Sequence, residues 1–326
     1  MHNEVMWSVR ARWLCRAILA GVALAGLARA AAPTGDTAAM TVRTDVAYAA
    51  TADSRQTLDL YLPKARPAGQ RLPVIVFVHG GGWVGGSKAA GRRVLQPYVE
   101  SGDYGGVSVG YRLAGAARWP APIHDCKAAI RWIRAHADEF GFNPDRIGVI
   151  GSSAGGTLVT LLGASGGVGE LEGEVGPNLG VSSRVTCVVN KFGRLDFLAE
   201  PESARAAPGQ SKALDGRLAL LFGGPVEANA ALARLASPIS HVSADDPPVL
   251  TLHGTADQTV PIVQAERFEV AAKRAGAAHV LVRIVGGRHG VDYAEDRERA
   301  RLFFDLHLRG VPAEISAEPI VLPARQ

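Results

Sequence analysis

The chain has 326 residues, 47% hydrophobic, 20% charged and only 6% aromatic. That much apolar side chain can bury a full core, which excludes a disordered chain and a disulfide-stapled mini-fold, and 38 glycines and 19 prolines without any repeat exclude collagen-like and solenoid architectures. The formal net charge is +4, but residues 1–30 carry Arg10, Arg12, Arg16 and Arg29 against Glu4; the remaining chain is close to neutral, so charge gives no case for nucleic acid or an anionic membrane as partner.

The N-terminus reads as a secretory signal. Three arginines precede a short apolar run from Ala17 to Leu27, and Ala28-Arg29-Ala30 supplies a small-x-small cleavage pattern. The run is too short to cross a bilayer core, which takes about 20 apolar residues. Cys15 precedes the run, whereas a lipid-modified cysteine would follow it, and no later stretch is apolar enough to span. The expectation is a signal peptide over 1–30, cleaved to give a soluble chain exported to the periplasm or beyond. Residues 31–326 then form a single domain.

Strand-like runs fall at residues 57–62, 74–78, 107–109, 147–150, 185–189, 249–253 and 280–285, and helix-like stretches at 122–140, 154–162, 262–275 and 292–308. Strands alternating with helices imply crossover connections and a mostly parallel sheet of about eight strands, covered by helices on both faces. PVIVFVHG and DRIGVIGSS are nearly continuous in apolar residues up to a glycine, as interior parallel strands are. The first strands have no helices between them, which predicts an antiparallel edge. Cys126 lies on the stripe Ile123, Cys126, Ile130, Ile133, and Cys187 lies in a strand-like run. Both read as buried small hydrophobes on separate elements, and neither has His or Cys partners at metal-ligand spacing. Residues 165–183, with Glu170, Glu172 and Glu174, read as a solvated Gly-rich loop. Residues 192–246 read as an insertion partly roofing a site, with helical pieces at 213–222 and 228–235. The tail 311–326, with three prolines, reads as loosely attached.

The chemistry sits where strands end. Gly151-Ser152-Ser153-Ala154-Gly155 follows a strand and opens an apolar helix, a G-x-S-x-G turn that projects a nucleophilic hydroxyl; Ser153, centred between the glycines, is the nucleophile. His79-Gly80-Gly81-Gly82-Trp83 follows another strand. Its bare N–H groups, those of Gly81 and Gly82, together with the N–H of Ala154 at the helix start, suit a developing oxyanion. No Lys-Ser/Thr pair closes the glycine loop in the manner of a phosphate cradle. His79 precedes the loop and reads as a residue that orients it.

These motifs, with Tyr111-Arg112-Leu113, PAPIHDCKAAIRWIRAHADEFGFNPDRIGVIGSSAGG and HGTADQTVP, resemble α/β-hydrolase esterases over roughly residues 45–308. The nearest pattern is the feruloyl-esterase-like carboxylesterases of the BD-FAE type, cousins of the hormone-sensitive-lipase group. The chain departs from those cousins in Gly-Ser-Ser where they carry Gly-Asp-Ser, in Gly110, and in lacking Pro-Glu after Leu113. The resemblance implies a triad in the order Ser153, Asp257, His289, with Asp257 and His289 in loops at strand ends. Asp196, Asp245, Asp246 and Asp292 are competing acids without the strand-Gly-x-x-Asp setting. Trp83 is a candidate pocket wall or a packed aromatic, and Arg194 a candidate cation near the substrate or a surface partner of Asp196. The function implied is a serine carboxylic ester hydrolase without cofactor or metal, acting on short-acyl or polysaccharide-linked esters of acetyl or feruloyl type. A peptidase of prolyl-oligopeptidase type and a non-catalytic binding protein on the same fold are the alternatives. The first lacks room for its extra N-terminal domain, and the second would have lost a triad member.

Overall fold

The computed structural model describes residues 35–66, 69–199 and 208–322, with side chains of 208–213 excepted. The signal-like segment 1–30 lies outside the described residues. Strands β1 (Met40–Ala47), β2 (Thr57–Pro63), β3 (Leu72–Val78), β4 (Gly105–Val109), β5 (Phe142–Ser152), β6 (Cys187–Lys191), β7 (Val249–Gly254), β8 (His279–Val285) and β9 (Ile320–Val321) form one sheet in the order β1-β2-β4-β3-β5-β6-β7-β8-β9. β1 pairs antiparallel with β2 and β2 with β4; every other neighbouring pair is parallel.

The apolar runs place these strands. β3 is buried along its whole length because both of its faces are covered: Val74, Val76 and Val78 enter one core layer, Ile75 and Phe77 the other. The first layer is closed by α2 (Ala121–Ala135), the short α3 (Ala137–Phe140), α4 (Ala154–Ala164) and α8 (Val263–Ala275), the second by α1 (Gly91–Glu100) and α9 (Ala294–Phe304). A four-residue α5 (Gly169–Glu172) follows α4. Between β6 and β7 the insertion forms α6 (Pro208–Phe222) and α7 (Ala230–Ala236), which bury Leu218, Leu221, Phe222, Ala233 and Ala236 in the first layer. Among the described residues no helix is long and apolar enough to cross a membrane.

Several sequence expectations shift. The helix expected over 122–140 breaks at His136, whose backbone leaves the helical region, and α3 ends on Gly141 in the left-handed conformation. Over its described part, residues 311–322, the tail is not loosely attached: Ile320 and Val321 pair with Ile284 and Val285 of β8, Ile315 and Leu322 pack on the second layer, and the Arg299 guanidinium donates to the carbonyl of Ser316. Residues 165–183 are not simply solvated. Glu172 accepts from Lys127 Nζ at 2.6 Å, from Arg131 Nη1 at 3.3 Å and from Ser183, and these two cations of α2 are buried. Cys126 and Cys187 are free thiols buried in different layers, and burial pushes both thiols up.

Asp125 is the polar anchor of the first layer. Its fully buried carboxylate accepts from Arg112 Nη2 at 2.7 Å, from Arg112 Nε and backbone N at 2.9 Å, and from Gln56 Nε2 at 2.8 Å. It thereby ties α2 to the loop after β4 and the turn before β2. Asp125→Ala strands four donors around a fully buried carboxylate position, so it should cost about 3 kcal/mol or more. Urea denaturation checks this; an unchanged midpoint would contradict it.

Candidate active site

Ser153 occupies the turn between β5 and α4 with φ 55° and ψ −121°, a backbone conformation uncommon for any residue but glycine. Its N–H donates to Lys191 O at 2.9 Å, and its carbonyl accepts from Thr157 N at 3.0 Å, so the strained turn is held from both sides. The flanking glycines are required by proximity. A Cβ on Gly151 would lie 2.3 Å from Gly155 O, and a Cβ on Gly155 would lie 2.1 Å from Val78 O and 2.7 Å from His79 O. The helix after the nucleophile thus sits directly against the backbone that enters the HGGGW loop.

The loops after β7 and β8 bring in the other two residues. His289 Nε2 is 3.0 Å from Ser153 Oγ, and His289 Nδ1 is 2.8 Å from Asp257 Oδ2. The Asp257 side chain is fully buried, and its Oδ1 accepts from Thr259 N at 2.8 Å and Val260 N at 2.9 Å. Burial pushes this carboxyl up, but hydrogen bonds from His253 and His289 outweigh it and hold Asp257 well below the usual carboxylate range. A carboxylate only accepts, so Nδ1 of His289 carries the proton and Nε2 is left to accept from the serine hydroxyl. His253, near the end of β7, donates from Nε2 to Val260 O at 2.7 Å and pins the loop that presents Asp257.

In the HGGGW loop Gly81, Gly82 and Trp83 have φ of 121°, 61° and 61°, and Gly81 O closes the turn by accepting from Val84 N and Gly85 N. Among the described residues the N–H groups of Gly81, Gly82 and Ala154 donate to no protein acceptor. His79 is buried against Tyr111, with ring centroids 4.2 Å apart and planes 13° from parallel, and Tyr111 Oη donates to His79 O at 2.9 Å. Burial pulls the imidazole down to about 4, so His79 is neutral and orients the loop.

Trp83 is buried in the first core layer, tilted against Phe197 at 5.5 Å. Arg194 is buried too, and Asp196 accepts from Arg267 Nη2 at 2.6 Å. Asp245 and Asp246 bond Ser243, and Asp292 faces Arg93 at 2.9 Å. None of these four acids contacts His289 among the described residues. Sequence reasoning missed Phe192, which follows β6 with φ 46° and sets its ring edge-to-face on His289 at 4.7 Å. Its aromatic type next to Gly193 was the only available signal.

A family model described as BD-FAE matches residues 58–271. Esterase LipC of Mycobacterium tuberculosis is 34% identical over 242 residues, which cover 74% of this chain and 58% of LipC. The chain spans about half the length of the curated relatives it matches. Among solved structures, a truncated form of a carbohydrate esterase from gut microbiota superposes with a TM-score of 0.74 at 28% identity, covering 85% of this chain and 100% of that one. The butyrate-bound thermophilic esterase Est2 of Thermogutta terrifontis gives a TM-score of 0.62 at 29% identity, covering 80% and 92%. The sheet described above is therefore that of the α/β-hydrolase fold.

Because a Cβ at position 155 would meet the carbonyl of Val78, Gly155→Ala must push α4 away from the end of β3. Overpacking of this kind costs about 1–3 kcal/mol. A lowered urea midpoint is expected, and a wild-type midpoint would show that the approach is not tight.

Proposed function

The chain belongs to the BD-FAE family, and from that premise we propose that it is a serine carboxylic ester hydrolase working through an acyl-enzyme. The observation that carries the reading is the continuous chain Ser153 Oγ, His289 Nε2, His289 Nδ1, Asp257 Oδ2, with contacts of 3.0 and 2.8 Å. Ser153 attacks the ester carbonyl as its proton passes to His289 Nε2. The resulting imidazolium is stabilised by the buried Asp257 carboxylate, which keeps its negative charge. The oxyanion of the tetrahedral intermediate accepts from the N–H groups of Gly81, Gly82 and Ala154, the last at the positive end of α4. His289 returns the proton to the departing alcohol. A water molecule, deprotonated by His289, then attacks the acyl-enzyme carbonyl and releases the acid, and Ser153 regains its proton. The scheme calls on side chains and backbone alone.

For substrate, the reading is short-acyl esters or acetyl and feruloyl groups on polysaccharide. Two things support it. The similar gut-microbiota protein is described as a carbohydrate esterase, and the similar Est2 holds butyrate in one structure and propionate in another. The insertion is polar in sequence over 199–215 (AEPESARAAPGQSKALD), and of the large apolar residues of α6 that follow, Leu218, Leu221 and Phe222 turn into the core while Leu220 alone is exposed. A roof of that kind offers no long apolar channel. The reaction is placed outside the cytoplasm on the signal-like sequence of residues 1–30 alone.

A panel of para-nitrophenyl esters from acetate to palmitate tests both parts. Each methylene gains about 0.8 kcal/mol only where a channel buries it, so kcat/KM should peak at acyl chains of about two to six carbons. Ser153→Ala should abolish turnover of every ester while leaving the urea midpoint near that of the unmutated chain. Specificity rising through palmitate would contradict the substrate reading, and a fully active Ser153→Ala would contradict the mechanism.

A further inference from the structure

The HGGGW loop carries a cation against Gly82. A Cβ built on Gly82 would lie 2.9 Å from Cδ, 3.2 Å from Nη1 and 3.5 Å from Nε of Arg217, so the end of the arginine side chain rests against this residue. Arg217 comes from α6, and it is held there by the burial of Leu218, Leu221 and Phe222 and by the hydrogen bond from Trp119 N to Leu221 O at 2.8 Å. The side chain is exposed, and among the described residues it has no hydrogen-bond or ion-pair partner.

Among the described residues, three carboxylates of the neighbouring loops are already engaged. Asp257 is bound to His289 and to backbone N–H groups, Asp196 to Arg267, and Asp292 faces Arg93, Arg297 and, at 3.7 Å, Lys191. Asp215 stands on the same helix, but residues two apart on a helix do not face each other. A second exposed guanidinium without an ion pair among the described residues, Arg288, adjoins His289. Positive charge therefore stands against Gly82 and beside the base, with no ion pair to either arginine among the described residues. A guanidinium offers a planar fork of donors matched to a carboxylate. With Gly82 bare, that fork lies against the residue whose N–H is proposed to hold the substrate carbonyl.

We propose that Arg217 is a specificity residue that favours esters carrying a carboxylate close to the scissile carbonyl, such as an ester on an acidic sugar unit or a half-ester of a dicarboxylic acid. The inference rests on the reading of Ser153 as nucleophile. The carboxylate would not take part in bond making; it would dock on the guanidinium and set the position of the carbonyl against Gly81 and Gly82.

Two matched substrate pairs read the effect. On the acyl side, the para-nitrophenyl half-ester of glutarate is compared with para-nitrophenyl pentanoate; on the alcohol side, para-acetoxybenzoate is compared with para-acetoxybenzamide. The quantity is the anionic-to-neutral ratio of kcat/KM. Arg217→Gln should lower it about fivefold on at least one side, the size expected of one exposed ion pair. Arg217→Lys should keep most of it, Arg217→Glu should lower it further, and added salt should lower it in the unmutated chain. The side that responds identifies which part of the ester carries the anion. Ratios unmoved on both sides in Arg217→Gln and Arg217→Glu, with the esters still turned over, would overturn the inference and leave the esterase reading intact. No turnover of any ester by the unmutated chain would overturn that reading, and this inference with it.

Discussion

The approach of α4 to the end of β3 is the constraint on which the rest of the site depends. Gly155 has no side chain, so the first turn of the helix can sit against the carbonyls of Val78 and His79. That contact fixes two things at once: the left-handed turn that lifts Ser153 and the course of the backbone into Gly80, Gly81 and Gly82. A nucleophile and its oxyanion donors must keep their separation to a fraction of an ångström, and here one backbone-to-backbone contact sets it. The sheet contributes by stiffness, since β3 and β5 are buried on both faces and neither can shift without disturbing two core layers.

Around that contact the polar groups are arranged to hold one protonation pattern. Asp257 is buried yet ionised, because its oxygens accept from His289 and from two backbone N–H groups. His253 secures the same loop through Val260, and Phe192 presses on the imidazole from the end of β6. The positive φ of Phe192 is backbone strain at the site, held by the bond from its N–H to Leu252 O at 3.0 Å. Away from the site, Asp125 and Glu172 do comparable work for α2, each satisfying donors that the core would otherwise strand.

What the sequence made legible was whatever depends on residue identity at short range. The glycines around Ser153 and after His79 are steric requirements written directly as letters, and the apolar runs of β3 and β5 identify strands covered on both faces. The elements that escaped depend on partners far away in the chain. β1 is an edge strand with a bulge between Arg43 and Val46, so its apolar alternation is interrupted. α1 contains Pro97 and several charged residues. β9 is two residues long and exists only because β8 offers them an edge. The same limit applies to the site. Arg217 drew no attention because it reaches Gly82 only through the packing of α6. Glu172 looked like one of several loop acids because its partners, Lys127 and Arg131, lie on another helix.

Covalent trapping tests the central claim most directly. The native chain is treated with a fluorophosphonate and the adduct is located by peptide mapping. The strained turn and its hydrogen-bonded imidazole should place the phosphonate on Ser153 alone, with no adduct formed once the chain is unfolded in urea beforehand. An adduct on Ser152, or a native chain that takes up no phosphonate, would contradict the account.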